Sequence, residues 1–184
     1  MPLDTIPLPY GLREIKLTPF TTAAATAYVG ASIKLPNAQT MTFTEKEEFS
    51  ELRGDDQLQA THGQGAQVDF ELESGGISFE AYAAMAGGTV NTTGVTPNQV
   101  KTYKKNINHQ RPYFKVEGRA ISDSGGDFHT VIYKAKITGD LKGELKDGEF
   151  MIPGASGTGL PSSVVATVGD VYDFIQNETA AAIV

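Results

Sequence analysis

Asp123-Ser124-Gly125-Gly126 is the stretch of this chain that most suggests covalent chemistry. A serine in such a loop becomes a nucleophile when a histidine within hydrogen-bond reach takes its proton and an aspartate orients that histidine. His62 and His129 are available, but neither stands in the local context that serine-nucleophile enzymes give their base. Alternating residues on both sides account for the same four residues as a hairpin turn. Gly154-Ala-Ser-Gly-Thr-Gly159 is rich enough in glycine to wrap a phosphate. It lacks the Gly-Lys-[Ser/Thr] end of a P-loop and departs from the dinucleotide fingerprint in spacing, so it reads as a flexible loop. Arg53-Gly54-Asp55 spells an integrin-recognition tripeptide, and its bland reading as a turn is preferred. His62, His109 and His129 lie far apart, with no His-x-x-x-His spacing or carboxylate partner, so they read as isolated histidines and not metal ligands. No acid-base, nucleophilic, metal or cofactor constellation emerges, and the chain is not expected to be an enzyme.

Asp69, Glu71 and Glu73 offer charge in place of reactivity. They alternate with Ala66, Val68, Phe70 and Leu72, a period of two that puts an apolar row on one face of a strand and an acidic row on the other. The acidic row is either an ordinary solvated face or a wall that repels phosphate within a Debye length of about 8 Å. Ser74-Gly75-Gly76 ends the strand, and the period then changes. Phe79, Tyr82, Ala83 and Ala86 recur at spacings of three and four, predicting a helix over Ser78 to Ala86 that packs these four residues on a sheet. Ser78 suits its N-cap, Glu80 the positive end of its dipole, and Gly87-Gly88 a left-handed stop.

The remaining chain reads as strand and turn. Residues 1–11 hold three prolines and predict an extended arm. Leu12, Ile15 and Leu17 begin a strand stopped at Pro19. Phe20 to Tyr28 reads as a strand of small side chains, with a weak helix as the alternative. Val29 to Leu35 reads as a strand, and Met41 and Phe43 alternate with threonines in the next. The charged run Glu45-Lys-Glu-Glu48 can blunt a sheet edge, after which Phe49 and Leu52 are expected to return to the core. Gly54 to Gly65 reads as a strand fragment and a long exposed loop, Thr89 to Asn98 as a loop, and Val100 to Asn108 as a strand. Phe114, Val116, Gly118 and Ala120 lead through the Asp123–Asp127 turn into Val131, Tyr133, Ala135 and Ile137, a hairpin. Asp147-Gly148 marks a tight turn, Gly154 to Ser163 a loop, and Val164 to Ile175 a last strand. The terminal Glu-Thr-Ala-Ala-Ala-Ile-Val is expected to fray unless a neighbour holds it. The whole is expected to be a single domain, 1–184, with an N-terminal arm of about 1–11 and a loop/strand C-terminal arm of about 154–184.

Composition narrows the classes further. A chain of 184 residues buries about 70 % of its unfolded surface as one domain. It has no cysteine, hence no disulfide and no thiolate metal site. No apolar run is long enough to span a membrane, and Met-Pro-Leu-Asp is not expected to open a signal peptide. Fifteen basic against 22 acidic residues give a formal charge of −7, which argues against tight binding of nucleic acid.

ELRGDD from Glu51, the amphipathic strand after it and ISFEAYAAMAGGT from Ile77 together resemble the major tail tube protein of long-tailed bacteriophages. Tyr113-Phe-Lys-Val-Glu-Gly118, the Phe128 to Gly139 strand and Asp147-Gly-Glu-Phe150 extend the resemblance over Ala38 to Ile152. It implies a mainly β protein, an antiparallel β-sandwich or open barrel with one short α-helix packed against it. It further implies a structural virion protein whose copies form rings, usually hexameric, stacked into the tail tube through which the genome is delivered. The family carries no catalytic residues and no cofactor. Implied partners are other copies of the chain and the tail proteins at tip and terminator, with DNA passing unbound. The implied location is the virion tail, after synthesis in the host bacterial cytoplasm. In this reading Asp69, Glu71 and Glu73 face the lumen, and a loop carrying Asp55, Asp56, Gln57, His62 and Gln64 stacks ring on ring. The alternatives are a tube protein of the type VI secretion class and a monomeric β-sandwich binding module. A carbohydrate-binding module would want exposed aromatic platforms, and the chain has no Trp.

Overall fold

The computed structural model describes residues 6–21, 24–28 and 31–183. Among these residues, eleven strands and one α-helix follow one another in the order β1 (Pro9–Pro19), β2 (Ile33–Lys34), β3 (Ala38–Gly54), β4 (Gln57–Ser74), α1 (Phe79–Ala86), β5 (Thr89–Thr93), β6 (Val100–Lys104), β7 (Phe114–Ser122), β8 (Asp127–Lys136), β9 (Leu141–Lys142), β10 (Gly154–Leu160) and β11 (Tyr172–Asn177). The main sheet runs β2-β1-β7-β8-β10-β4-β3, with β11 on β8 and β9 on β10, while β5 and β6 form a separate ribbon. Every pairing is antiparallel. The sheet curls until Met41 of β3 lies against Gly118 of β7, where a Cβ would sit 2.4 Å from the Met41 sulfur. No β1–β3 ladder closes the curl, so the barrel is open.

Alternation explains which face is inside. Ile15 and Leu17 of β1, Val68, Phe70 and Leu72 of β4, and Phe114 and Val116 of β7 meet Ile132 and Ala135 of β8 in one buried cluster. The hairpin around Asp123–Gly126 forms as its pattern predicts, with Ile121 opposite Asp127 at its end.

Several segments differ from their sequence reading. Gly154 to Leu160, expected as loop and C-terminal arm, is the central strand β10 between β8 and β4. Gly157 and Gly159 are required by close approach: a Cβ on Gly159 would meet Ile132 Cγ2 at 2.5 Å. The expected N-terminal arm is shorter. Residues 1–5 lie outside the described residues, Leu8 donates its N–H to Ser122 Oγ at 2.9 Å, and β1 begins at Pro9. The described residues of Phe20 to Tyr28 form no strand but a turn closed by an isolated antiparallel bridge between Phe20 and Tyr28. Thr21 N–H donates to the Ala27 carbonyl and the Phe20 and Tyr28 rings close at 4.7 Å, with Ala25 buried at a positive φ of 54°. Residues 22 and 23 lie outside the described ones. The Val29–Leu35 strand contracts to Ile33–Lys34, positions 29 and 30 being undescribed. Thr89–Asn98 contains β5, and the following strand ends at Lys104.

The helix is capped as its sequence predicts. Ser78 Oγ accepts the Ala81 N–H at 3.2 Å, and Gly87, at φ 71°, sends its N–H to the Ala83 carbonyl. Its docking face is rotated from the expected one. Ala81 and Met85 enter the core cluster with Tyr82 against it, and Ala86 is buried, but Phe79 and Ala83 are only half-buried. The small Ala81 lets the helix approach the sheet closely, and that approach seats the long, unbranched Met85. Truncating a buried Met typically costs about 2–5 kcal/mol. Met85→Ala should therefore lower the urea midpoint more than Phe79→Ala. A larger loss at Phe79 would restore the expected face.

Candidate functional site

The residues that suggested catalysis make separate local contacts. Ser124 Oγ lies 2.8 Å from Ser122 Oγ and donates to the Ile6 carbonyl at 3.2 Å, which makes it part of the turn. His129 instead faces Asp127, Nε2 to Oδ2 at 3.1 Å. His62 is on β4, and His109 caps a local turn by accepting the Asn106 N–H. Among the described residues no group of three or more His, Asp or Glu is arranged to hold a metal.

Asp69, Glu71 and Glu73 do share one face of β4. Opposite them stand Thr44, Thr42 and Thr40 on β3 and Thr158, Ser156 and Gly154 on β10. Thr158 donates to Asp69 Oδ1 at 3.2 Å and shares a 3.0 Å hydrogen bond with Thr138. The result is a band of hydroxyls and carboxylates with small side chains. It is not uniformly anionic, because Lys46 pairs with Asp69. That ammonium, with Thr158, holds the Asp69 carboxyl below the usual range despite some burial. Glu71 stays exposed and Glu73 half-buried.

Gly54 to Gly65, expected as a long loop, is instead the outer half of a β3–β4 hairpin. Asp55 and Asp56, at φ 52° and 60°, make its two-residue turn, and Gly54 opposes Gln57 across it. A turn with both central residues at positive φ matches the twist of the strands, and aspartate tolerates that region. Behind the tip, His62 opposes Ser50 and Gln64 opposes Glu48. Asp55, Asp56, Gln57, His62 and Gln64 are thus gathered on one arm, two at the tip and three along β4. Phe49, Leu52 and Leu58 are 63 %, 64 % and 53 % exposed, so the expected return of Phe49 and Leu52 to the core does not occur. The arm escaped a reading by alternation because this chain covers neither of its faces.

A second polar cluster gave no sequence signal at all. Asp127, fully buried, accepts Asn177 Nδ2 and the Ala181 N–H, each at 2.8 Å. Arg119 donates to the Ala181 carbonyl at 2.8 Å, and Lys16 to that of Ile183 at 2.6 Å. These contacts tie residues 177–183 across β8, β7 and β1 as a strap, where fraying was expected, and bury Ile183. Burial pushes the Asp127 carboxyl up, but its hydrogen bonds from Asn177, Ala181 and His129 outweigh this and hold it low. No protein-family model matches the chain, and no curated protein matches it either.

Proposed function

We propose that this chain is a structural subunit that self-assembles into stacked rings, the tail tube of a long-tailed bacteriophage through which the genome reaches the host. The observation that carries this reading is the β3–β4 arm, a two-stranded ribbon with Phe49, Leu52 and Leu58 uncovered. Such a ribbon is marginal alone, so a partner surface is what stabilises it. The edge of β3 away from β4 hydrogen-bonds to no other described strand, and along the arm it is likewise open to a strand from a neighbour. Rings, usually hexameric in the family resembled, occupy such edges between subunits, and arms join one ring to the next. The hydroxyl and carboxylate band of β4 suits a bore that must not hold DNA, since Glu71 repels phosphate and threonines offer it no cation.

Assembly is the direct test. Purified protein, examined by light scattering and negative-stain microscopy, should pass from small species to rings or hollow tubes as concentration rises or a tail-tip seed is added. Monomer alone at every concentration, with the seed present, would overturn the reading.

A further inference from the structure

The charge of this chain is sorted to two ends. Between Glu45 and Asp56 stand six acids (Glu45, Glu47, Glu48, Glu51, Asp55 and Asp56) against Lys46 and Arg53. Lys46 is taken up by Asp69 and Arg53 by Glu51, so most of the arm's negative charge faces outward. From Ala81 to Val116 the reverse holds: five bases and no acid. Lys101 pairs with Glu80 and Lys115 with Glu117 at the two borders of the stretch, which leaves Lys104, Lys105 and Arg111 without a carboxylate among the described residues. Lys105 donates to the His109 carbonyl and Arg111 to the carbonyls of Ile137 and Gly139, so their charges face carbonyl oxygens and not carboxylates. Lys104 is exposed on β6.

The two charged regions lie at opposite ends of the same ladder. β4 runs 18 residues from the arm's tip to Ser74, a contour of roughly 55–60 Å. At that far end α1 begins, and the β5–β6 ribbon is fastened to it. Tyr103 hydroxyl donates to the Gly87 carbonyl at 2.6 Å, and the Tyr82 and Tyr103 rings meet edge-on at 6.0 Å. The ribbon end also exposes apolar groups, Val95, Val100 and Ile107, as the arm does.

From this polarity we infer that the acidic arm of one copy seats on the basic β5–β6 end of a second copy. The contact is heterologous, head to tail, and such a contact repeats without closing. It gives the proposed tube its axial bond, and so rests on that reading. Unlike poles attract only in this orientation, so the same charges exclude head-to-head stacking.

Charge exchange tests it. Glu48→Lys with Glu51→Lys reverses the arm, and Lys101→Glu with Lys104→Glu reverses the ribbon. All four positions are exposed, and urea midpoints near wild type verify that each variant folds. Each double variant alone should need a concentration at least about tenfold higher to form tubes. Mixing the two in equal amounts, or joining all four changes in one chain, should restore assembly, because each arm again meets an opposite pole. Wild-type assembly should weaken as salt rises. Wild-type tubes whose formation ignores both reversals, or reversals that no mixture rescues, would overturn the head-to-tail contact and leave the tube reading intact. A wild type that never assembles overturns both.

Discussion

Replacing Asp127 by alanine should release the C-terminal strap and destabilise the whole subunit. The carboxylate is fully buried and is the acceptor for Asn177, for the Ala181 N–H and for His129. Its loss leaves those donors without that acceptor and Arg119, 4.0 Å away, with Glu14 at 3.7 Å as its remaining counter-charge. Removing one partner of a buried charged cluster typically costs about 3–5 kcal/mol. Against a total of about 5–15 kcal/mol, that is a large fraction. Residues 177–183 should open first, since local opening is set by the contacts a segment makes. The same cluster predicts an acid transition. Because the folded carboxyl is held below its unfolded value of about 3.9, its contribution is present above that value and disappears as pH falls through the folded one. Amide hydrogen exchange at Ala181 reads both effects. Its protection relative to the intrinsic exchange rate should fall in Asp127→Ala at neutral pH, and in the wild type only in acid. Equal protection of Ala181 in the two proteins at neutral pH would show that Asp127 does not hold the strap.

Gly157→Val should also be damaging, through shape instead of charge. A Cβ at Gly157 would stand 2.3 Å from the Lys136 carbonyl oxygen, 2.7 Å from Phe70 Cζ and 2.9 Å from Ile137 Cα. Two of those atoms are backbone of the neighbouring segment and cannot rotate away. Overpacking a core costs about 1–3 kcal/mol and sometimes more, and here β10 joins the two halves of the sheet. Ser156→Ala, on the opposite face of the same strand, is the control and should stay within about 0.5 kcal/mol. Urea unfolding of both variants decides it. A Gly157→Val midpoint equal to that of Ser156→Ala would return the segment to the flexible loop its glycines first suggested.

Those glycines show where the sequence was legible and where it was not. Alternation is visible when one face of a strand is buried and the other is wet, as at Val68-Asp69-Phe70-Glu71 and in the Phe114–Lys136 hairpin. It vanishes in β10, where Phe70 and Ile132 fill the space and the strand supplies only room for them. It vanishes again beyond Lys46, where both faces are wet. The caps of α1 are local and were read correctly, but its rotation about its axis depends on how closely Ala81 approaches the core. The strap was illegible because its partners, Lys16, Arg119 and Asp127, lie 50 or more positions away. The acidic row was read correctly as a face, while the counter-ion Lys46 that silences Asp69 came from the neighbouring strand.

The arm is also a mechanical part. Its tip is a turn, so a pull at Asp55-Asp56 along the arm draws on β3 and β4 together and does not peel one from the other. The load then passes from β4 into β10 along the register from Val68 opposite Gly159 to Glu73 opposite Gly154. Antiparallel hydrogen bonds lie across the strands, so tension along them is shear, and all the bonds of the ladder must yield at once. Unzipping would break them one by one, at far lower force. If copies assemble through such arms as proposed, the filament would be stiff under tension and weakest sideways, where a bend would peel the tip from its seat.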